Sequence, residues 1–142
     1  MAMEAEVIVM STPYIARELK DEYCLIAQKC TSCGVIIYPM KHKICPSCGQ
    51  IQEERKEFRL NPRGKVVSYT VQYVPGPGAK EFTPPMILVV ADLEGGGRIS
   101  GILTDCAPET VKIGMPVKLE LRSLYTVGGL DVYSHKFVPL GE

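Results

Sequence analysis

Two Cys-x-x-Cys pairs constrain the fold of this chain more than any other feature of its sequence. Eleven residues separate the first pair, Cys30 and Cys33, from the second pair, Cys45 and Cys48. A two-residue spacing lets both sulfurs of a pair reach one ion from a tight turn. Two such turns facing each other supply a closed tetrahedral shell of thiolates at ~2.3 Å from a metal. The sequence therefore predicts one structural metal site, formed by Cys30, Cys33, Cys45 and Cys48.

A glycine follows the second cysteine of each pair, at Gly34 and Gly49. Glycine accepts a positive φ, which turns backbone N–H groups towards the sulfurs. We predict zinc as the metal, but iron is an alternative, because a rubredoxin-type site uses similar turns and four thiolates do not choose between the two metals. Disulfides or free thiols are the other alternative for these cysteines. A closed shell without an open position argues against metal catalysis.

The two remaining cysteines, Cys24 and Cys106, lie outside this pattern, and we expect them to be small core residues. His42 stands between two lysines, which is typical of a solvated loop residue. The N-terminus does not resemble a secretory signal, so we expect a cytoplasmic protein, in which paired cysteines favour metal over disulfides.

Composition predicts a soluble, globular chain without a membrane span. Of the 142 residues, 46% are hydrophobic and 23% are charged, and no apolar run approaches the ~20 residues that a membrane span needs. The formal net charge is zero. A partner bound mainly through its phosphates is therefore disfavoured, because no basic excess is available to neutralise them.

An amphipathic helix is predicted near the N-terminus. Ser11-Thr12-Pro13 has the hydroxyl cap and first-turn proline of a helix start. Ile15, Leu19 and Tyr23 follow at four-residue spacing and share one face. We expect the helix to end near Tyr23.

The second half of the chain predicts five consecutive strands. They are expected at 65–74, 86–93, 98–104, 115–124 and 130–138, with a helical turn at 107–110 between the third and the fourth. In the first of them, Val67, Tyr69, Val71 and Tyr73 alternate with Val66, Ser68, Thr70 and Gln72. Five short strands with this insert fit an OB-fold barrel, with a small sandwich as the competing interpretation.

The predicted fold is thus mainly β: an N-terminal helix, a four-cysteine rubredoxin-like zinc ribbon and a five-stranded OB-fold barrel. We expect residues 1–24 to form the tail and helix, 25–60 the zinc ribbon and 61–142 the barrel. Within the ribbon, residues 24–29 have strand character, residues 35–38 are an apolar run, and a short strand is expected at 57–60.

No catalytic motif is recognisable in the sequence. A nucleophile elbow, a P-loop and a two-histidine zinc protease motif are all missing. The two histidines, His42 and His135, have no sequence neighbours that would make a triad. The sequence therefore predicts a binding or scaffold protein rather than an enzyme.

Several motifs together resemble one known family. They are Tyr23-x6-Cys30-x2-Cys33-Gly34, Tyr38-Pro39, Cys45-Pro46-x-Cys48, the strand 64–70 and the segment 113–117. In this order they are similar to the acyl-CoA-associated OB-fold family with a rubredoxin-like zinc ribbon, first catalogued as domain of unknown function thirty-five. The resemblance covers nearly the whole chain. One departure is that Ile15 and Leu19 stand where the family often carries aromatic residues.

The resemblance implies a non-catalytic, acyl-CoA-binding scaffold subunit. Short stand-alone members resemble the archaeal type, which bridges acetoacetyl-CoA thiolase and hydroxymethylglutaryl-CoA synthase in the mevalonate pathway, so that a CoA thioester passes between them. Related acyl-CoA enzymes are alternative partners. Candidate ligand-binding residues are Lys41, Lys43, Arg63, Lys65 and Phe82. The helical face of Ile15, Leu19 and Tyr23 is the candidate partner surface.

Two other functions remain as alternatives. A single-stranded nucleic-acid-binding OB-fold protein with structural zinc would use Tyr69 and Tyr73 as stacking platforms, although the neutral charge makes nucleic acid an unlikely partner. An electron carrier would hold iron at the same four cysteines.

Overall fold

The N-terminal part of the molecule is a small antiparallel sheet. The computed structural model describes residues 21–38, 43–53, 56–74 and 84–141. Strand β1 (Ile26–Lys29) lies between β2 (Ile36–Ile37) and β3 (Lys56–Arg59). Residues 21–23 are helical and 24–25 form a turn, which agrees with the predicted helix end near Tyr23. The rest of the predicted helix lies outside the described residues and stays a prediction.

The C-terminal part is a closed five-stranded barrel. Its strands are β4 (Arg63–Gln72), β5 (Met86–Leu93), β6 (Arg98–Leu103), β7 (Pro116–Val127) and β8 (Leu130–Pro139). A single 3-10 turn at Pro108–Thr110 stands at the place predicted for it.

The order of strands in the barrel is β4-β5-β6-β8-β7, and β7 closes the ring against β4. All neighbours are antiparallel except β6 and β8, which meet in parallel at Leu103 and Phe137. A five-stranded Greek-key barrel with this insert is the OB-fold. The sandwich alternative is therefore wrong, because the sheet closes on itself.

A β-bulge in β4 changes the faces predicted from the sequence. The register against β5 shifts between Val66 and Ser68. Before the bulge Val66 is opposite Ala91, and after it Val71 is opposite Ile87, so both valines face the interior. The predicted placement of Val66 and Val71 on opposite faces is therefore wrong, because the extra residue reverses the alternation.

The barrel core continues into the small sheet. Its buried apolar residues include Leu25, Ala27 and Leu60 from the N-terminal part, and Phe137, at 0% exposure, is the largest fully buried side chain. The backbone N–H of Leu60 also donates to the carbonyl oxygen of Leu25 at 2.9 Å. The two parts therefore share one core.

The glycine turn between β5 and β6 packs against the small sheet. Gly96 and Gly97 have φ values of +115° and +99°. A Cβ on Gly96 would lie 2.6 Å from Cδ1 of Ile36, and one on Gly97 would lie 2.7 Å from Cδ2 of Leu60. Glycine is required here both for the backbone conformation and for the close approach of the two parts.

Within the described residues, no helix has the length and hydrophobicity needed to cross a bilayer.

Candidate metal centre

The structure brings the four predicted cysteines together. Their sulfurs all lie within 4.8 Å of one another. Two distances across the pairs, Cys30 Sγ to Cys48 Sγ and Cys33 Sγ to Cys45 Sγ, are both 3.7 Å. All six cysteines of the chain are free thiols, which removes the disulfide alternative for this structure.

The two turns that carry these cysteines have the same hydrogen bonds. In the first turn, Gly34 N–H donates to Cys30 O at 3.1 Å, and Cys30 N–H donates to Val35 O at 2.9 Å. In the second turn, Gly49 N–H donates to Cys45 O and Cys45 N–H donates to Gln50 O, both at 2.9 Å. The predicted positive φ of the two glycines is confirmed, at +75° for Gly34 and +74° for Gly49.

The sulfur geometry fits a tetrahedral metal ion. Sulfurs ~2.3 Å from a common centre are about 3.8 Å apart along each edge of a tetrahedron, and the two distances above match this edge. One cysteine of each turn is buried, Cys30 and Cys45, and the other is exposed, Cys33 and Cys48. The four cysteines thus form a zinc-ribbon site with four sulfur donors.

Backbone donors favour the thiolate form of the two buried cysteines. The N–H of Cys33, together with that of Ser32, lowers the pKa of the Cys30 thiol to about 6. The equivalent groups of Cys48 and Ser47 lower the pKa of the Cys45 thiol. Cys30 and Cys45 are the two buried cysteines of the cluster, so backbone N–H groups supply the hydrogen bonds that water would otherwise donate to their sulfurs.

The sulfurs shift one another's pKa in opposite directions: hydrogen bonds from neighbouring sulfurs help to lower the pKa of Cys30 and Cys45 but raise the pKa of Cys48. The N–H of Gln50 lowers the pKa of Cys48, but desolvation and the neighbouring sulfurs outweigh it and raise the pKa to about 11. A divalent cation at the centre of the cluster offsets the repulsion among thiolates and allows all four to ionise. The donor set and its electrostatics therefore suit a zinc or iron ion.

One residue near the cluster was missed by sequence reasoning. Gln52 is buried, and its side-chain Nε2 lies 3.3 Å from Cys30 Sγ, as a donor to that sulfur. It stands in the polar stretch after Cys48. No periodicity distinguishes a buried glutamine from an exposed one in such a stretch.

The candidate ligand residues are only partly described. Lys43, Arg63 and Lys65 are exposed, whereas Lys41 and Phe82 lie outside the described residues. Lys65 lines a surface groove of about 400 Å³ that also carries Asp92 and Glu94.

The charge of this groove is mixed. The Asp92 carboxylate accepts a hydrogen bond from Nη2 of Arg98 at 2.9 Å, and this contact lowers the pKa of Asp92. Glu94 accepts from the side-chain amide of Asn61 at 3.3 Å. Lysine and two carboxylates therefore stand side by side, and the described part of the groove is not a concentrated basic patch.

The candidate partner residue Tyr23 is half-buried and contacts the barrel. Its hydroxyl and its carbonyl oxygen both hydrogen-bond to β8, at Tyr133 and His135. Ile15, Leu19 and His42 lie outside the described residues.

The two cysteines outside the cluster differ from each other. Cys24 is exposed, so its predicted core position is wrong: it follows the last helical residue and points away from the shared core. Cys106 is partly buried and packs against the barrel core, as expected.

Comparisons with known proteins agree with this architecture. The profile of the ChsH2 rubredoxin-like zinc ribbon domain matches residues 17–51, and that of the ChsH2 C-terminal OB-fold domain matches residues 58–122. A DUF35 domain-containing scaffold protein of Methanocaldococcus jannaschii is 38% identical over 126 residues, which is 87% of this chain and 87% of that protein.

Two further matches are to proteins whose names describe parts of enzymes. A probable enoyl-CoA hydratase alpha subunit of Thermomonospora curvata is 32% identical over 96 residues, which is 68% of this chain but 28% of that protein. The solved structure of an Ltp2-ChsH2(DUF35) aldolase matches with a TM-score of 0.67 and 26% identity, over 92% of this chain and 97% of the matched chain. The chain therefore belongs to the DUF35 domain-containing scaffold protein family, with a ChsH2-type rubredoxin-like zinc ribbon followed by a ChsH2-type OB-fold domain.

Proposed function

We propose that this protein is a non-catalytic scaffold subunit that holds a CoA thioester and bridges two thiolase-type enzymes, acetoacetyl-CoA thiolase and hydroxymethylglutaryl-CoA synthase. One zinc ion at Cys30, Cys33, Cys45 and Cys48 maintains the ribbon. The observation that carries the proposal is the match, over 87% of both chains, to a relative named as a scaffold protein. The metal acts structurally, because four sulfurs fill its coordination shell and leave no position for substrate.

The described residues support a role without chemistry of their own. Among them the four sulfurs are the only cluster of three or more metal-binding side chains. His135 is engaged through Nε2 with the carbonyl oxygen of Tyr23 at 3.0 Å, and its Nδ1 is buried. A histidine held in this way is not free to act as a general base.

Acyl-CoA binding is the finer part of the proposal. The phosphates of CoA require cationic partners, and Lys43, Arg63 and Lys65 present exposed charges. Lys41 and Phe82 are proposed with them on the sequence alone. The relative named as an enoyl-CoA hydratase subunit and the structure named as an aldolase support a place beside acyl-CoA enzymes. The face of Ile15, Leu19 and Tyr23 remains the proposed partner surface.

Reconstitution with purified enzymes tests the bridging role. The zinc-loaded protein is mixed with the thiolase and the synthase of its own organism, singly and together, and the masses are measured by size-exclusion chromatography with light scattering. We expect a complex that contains all three chains, and no complex between the two enzymes alone. A protein that stays monomeric in every mixture would overturn the proposal.

Calorimetric titration with CoA and acetoacetyl-CoA tests the ligand. We expect binding that weakens with salt, and that weakens severalfold in Lys65→Ala or Arg63→Ala while Lys56→Ala, an exposed lysine on β3 of the ribbon, leaves it unchanged. Equal affinities in all three variants would remove these residues from the proposed site.

Binding of single-stranded nucleic acid is the second candidate. The observation in its favour is that Tyr69 and Tyr73 are 41% and 66% exposed on β4 and at its end, as stacking platforms would be. The zero net charge speaks against it. A fluorescence anisotropy titration with single-stranded oligonucleotides at low salt decides: no binding excludes this function.

A further inference from the structure

A buried glutamine joins the two metal-binding turns. Gln52 follows the second turn, and its side chain is buried. Its Nε2 donates to Cys30 Sγ at 3.3 Å and to the carbonyl oxygen of Gln50 at 3.2 Å, and its Oε1 accepts from the backbone N–H of Thr31 at 3.3 Å. Both ends of the amide are therefore occupied: Oε1 and Nε2 each contact the first turn, and Nε2 also contacts the residue that follows the second turn.

This side chain is fixed by the second turn and acts on the first. The backbone N–H of Gln52 donates to the carbonyl oxygen of Lys43 at 2.6 Å, which anchors the residue beside the second turn. Two of the three groups that its amide contacts, Thr31 N–H and Cys30 Sγ, belong to the first turn. The backbone-to-backbone hydrogen bonds of the two turns are equivalent, and Cys30 Sγ also accepts from the N–H of Ser32 in its own turn at 3.4 Å. Within the described residues, only Cys30 accepts in addition from a side-chain amide, that of Gln52.

The chemistry of the cluster explains why a donor is needed there. A divalent ion with four thiolates leaves a net charge of about −2 on the sulfurs. Cys33 and Cys48 are exposed to water, whereas Cys30 is only 2% exposed. A hydrogen bond from a buried amide stabilises charge that solvent does not reach, and it fixes the direction from which the sulfur binds.

We propose that Gln52 is a positioning residue of the metal centre, which holds Cys30 in place and stabilises its metal-bound thiolate by an N–H···S hydrogen bond. This inference rests on the zinc site proposed above. Its consequence is slow release of the metal, because Cys30 does not leave the ion without breaking contacts to both turns.

Two substitutions separate the parts of this role. Gln52→Met keeps the length of the side chain but removes both hydrogen-bonding groups. Gln52→Glu keeps an oxygen for Thr31 N–H, but it loses the donor and places a negative charge beside the thiolates. Gln50→Met is the matched control, since that glutamine side chain is exposed and only its backbone oxygen is used.

Two measurements are made on the full chain. The first is the rate of zinc transfer to a chromogenic chelator in excess. The second is the thiolate-to-cobalt charge-transfer band of the Co²⁺-substituted protein, which moves to lower energy when a sulfur loses a hydrogen bond. Circular dichroism of each loaded variant confirms that the barrel is folded.

We expect Gln52→Met to release zinc roughly 10- to 100-fold faster than the parent, and Gln52→Glu to release it at least as fast. The cobalt band should shift to lower energy in both, and Gln50→Met should match the parent in both measurements. Parent-like release from Gln52→Glu would overturn the proposal, because the contact to Thr31 would then be sufficient. An unshifted band in both variants would overturn it as well. Absence of metal from the natively isolated parent would instead refute the zinc site itself.

Discussion

The hydroxyl of Tyr23 donates a hydrogen bond of 3.1 Å to the carbonyl oxygen of Tyr133, which stands 110 residues later in the chain. In return, His135 Nε2 contacts the carbonyl oxygen of Tyr23 at 3.0 Å. A carbonyl oxygen only accepts, so the proton of this second bond resides on Nε2. Two bonds thus tie the residue before the ribbon to the last strand of the barrel.

Tyr23→Phe should destabilise the protein by about 1 kcal/mol, because it removes one partly buried hydrogen bond and leaves the Tyr133 carbonyl without that donor. The free energy of unfolding in urea measures the effect. Tyr73→Phe, at an exposed tyrosine, is the control and should be neutral. An unchanged stability in Tyr23→Phe would show that water replaces the lost bond without cost.

Stability should fall at alkaline pH. Burial, with a smaller contribution from the charge of Glu22, raises the pKa of Tyr23 above its ordinary 10.0, and burial does the same for Tyr38. The folded state therefore retains protons that the unfolded chain releases, so stability is intact below pH 10 and is lost as the pH rises through the folded-state values. Urea midpoints at neutral pH and above pH 10 should show the fall, and Tyr23→Phe should reduce it.

Cys30→Ser should lose bound metal, whereas Cys24→Ser, outside the cluster and exposed, should keep it. The natively isolated parent should contain one zinc ion per chain and be colourless. Elemental analysis measures the content, and thermal unfolding measures the stability that the metal supplies to the ribbon. Iron in place of zinc would favour the electron-carrier alternative, and equal metal content in the two variants would contradict the assignment of ligands.

Gly96→Ala should cost about 2–4 kcal/mol, from the clash with Ile36 and from the positive φ together. Gly95→Ala is a control for the backbone alone, since its φ is +82° but no atom lies within 4 Å of its Cβ position; its cost should be about 1 kcal/mol.

Ile36→Val removes the Cδ1 atom that a Cβ on Gly96 would meet at 2.6 Å. In the Ile36→Val background, Gly96→Ala should therefore cost at least about 1 kcal/mol less than in the parent. Additive effects would show that the contact between the turn and the ribbon is not the cause. Chemical denaturation of the four proteins of the cycle provides the measurement.

Gln28→Met should stabilise the protein by about 1 kcal/mol. Gln28 is 0% exposed, and neither polar atom of its amide has a hydrogen-bond partner among the residues that the structure describes. A methionine fills a similar volume without two polar atoms to desolvate. A thermal midpoint that falls instead of rising would show that the amide has a partner in solution, such as a bound water.

Sequence patterns predicted the parts of the fold that depend on local chemistry. The strand predicted at 86–93 and the helical turn predicted at 107–110 lie where predicted, because turn residues and alternation are encoded within a few positions. The cysteine cluster was predictable for the same reason, since both pairs have the spacing that a metal requires.

Features that depend on contacts between distant segments were not predictable. No residue near Val67 has a sequence signal that predicts the bulge, because the bulge depends on the pairing of β4 with β5. The use of Gln52 depends on how the two turns face each other, and the exposure of Cys24 depends on how the chain leaves the helical turn at 21–23. In each case the contacts of the residue depend on segments that are distant in the sequence, so they are known only from the folded structure.

The contact of Gly96 with Ile36 and of Gly97 with Leu60 has a consequence for any assembly built on this protein. Side chains at these two positions would force the turn and the small sheet apart. Because the glycine backbone packs directly against the side chains of Ile36 and Leu60, the barrel and the small sheet have one relative orientation. If one enzyme binds to each part of this protein, the distance and the orientation between the two enzymes would therefore be fixed.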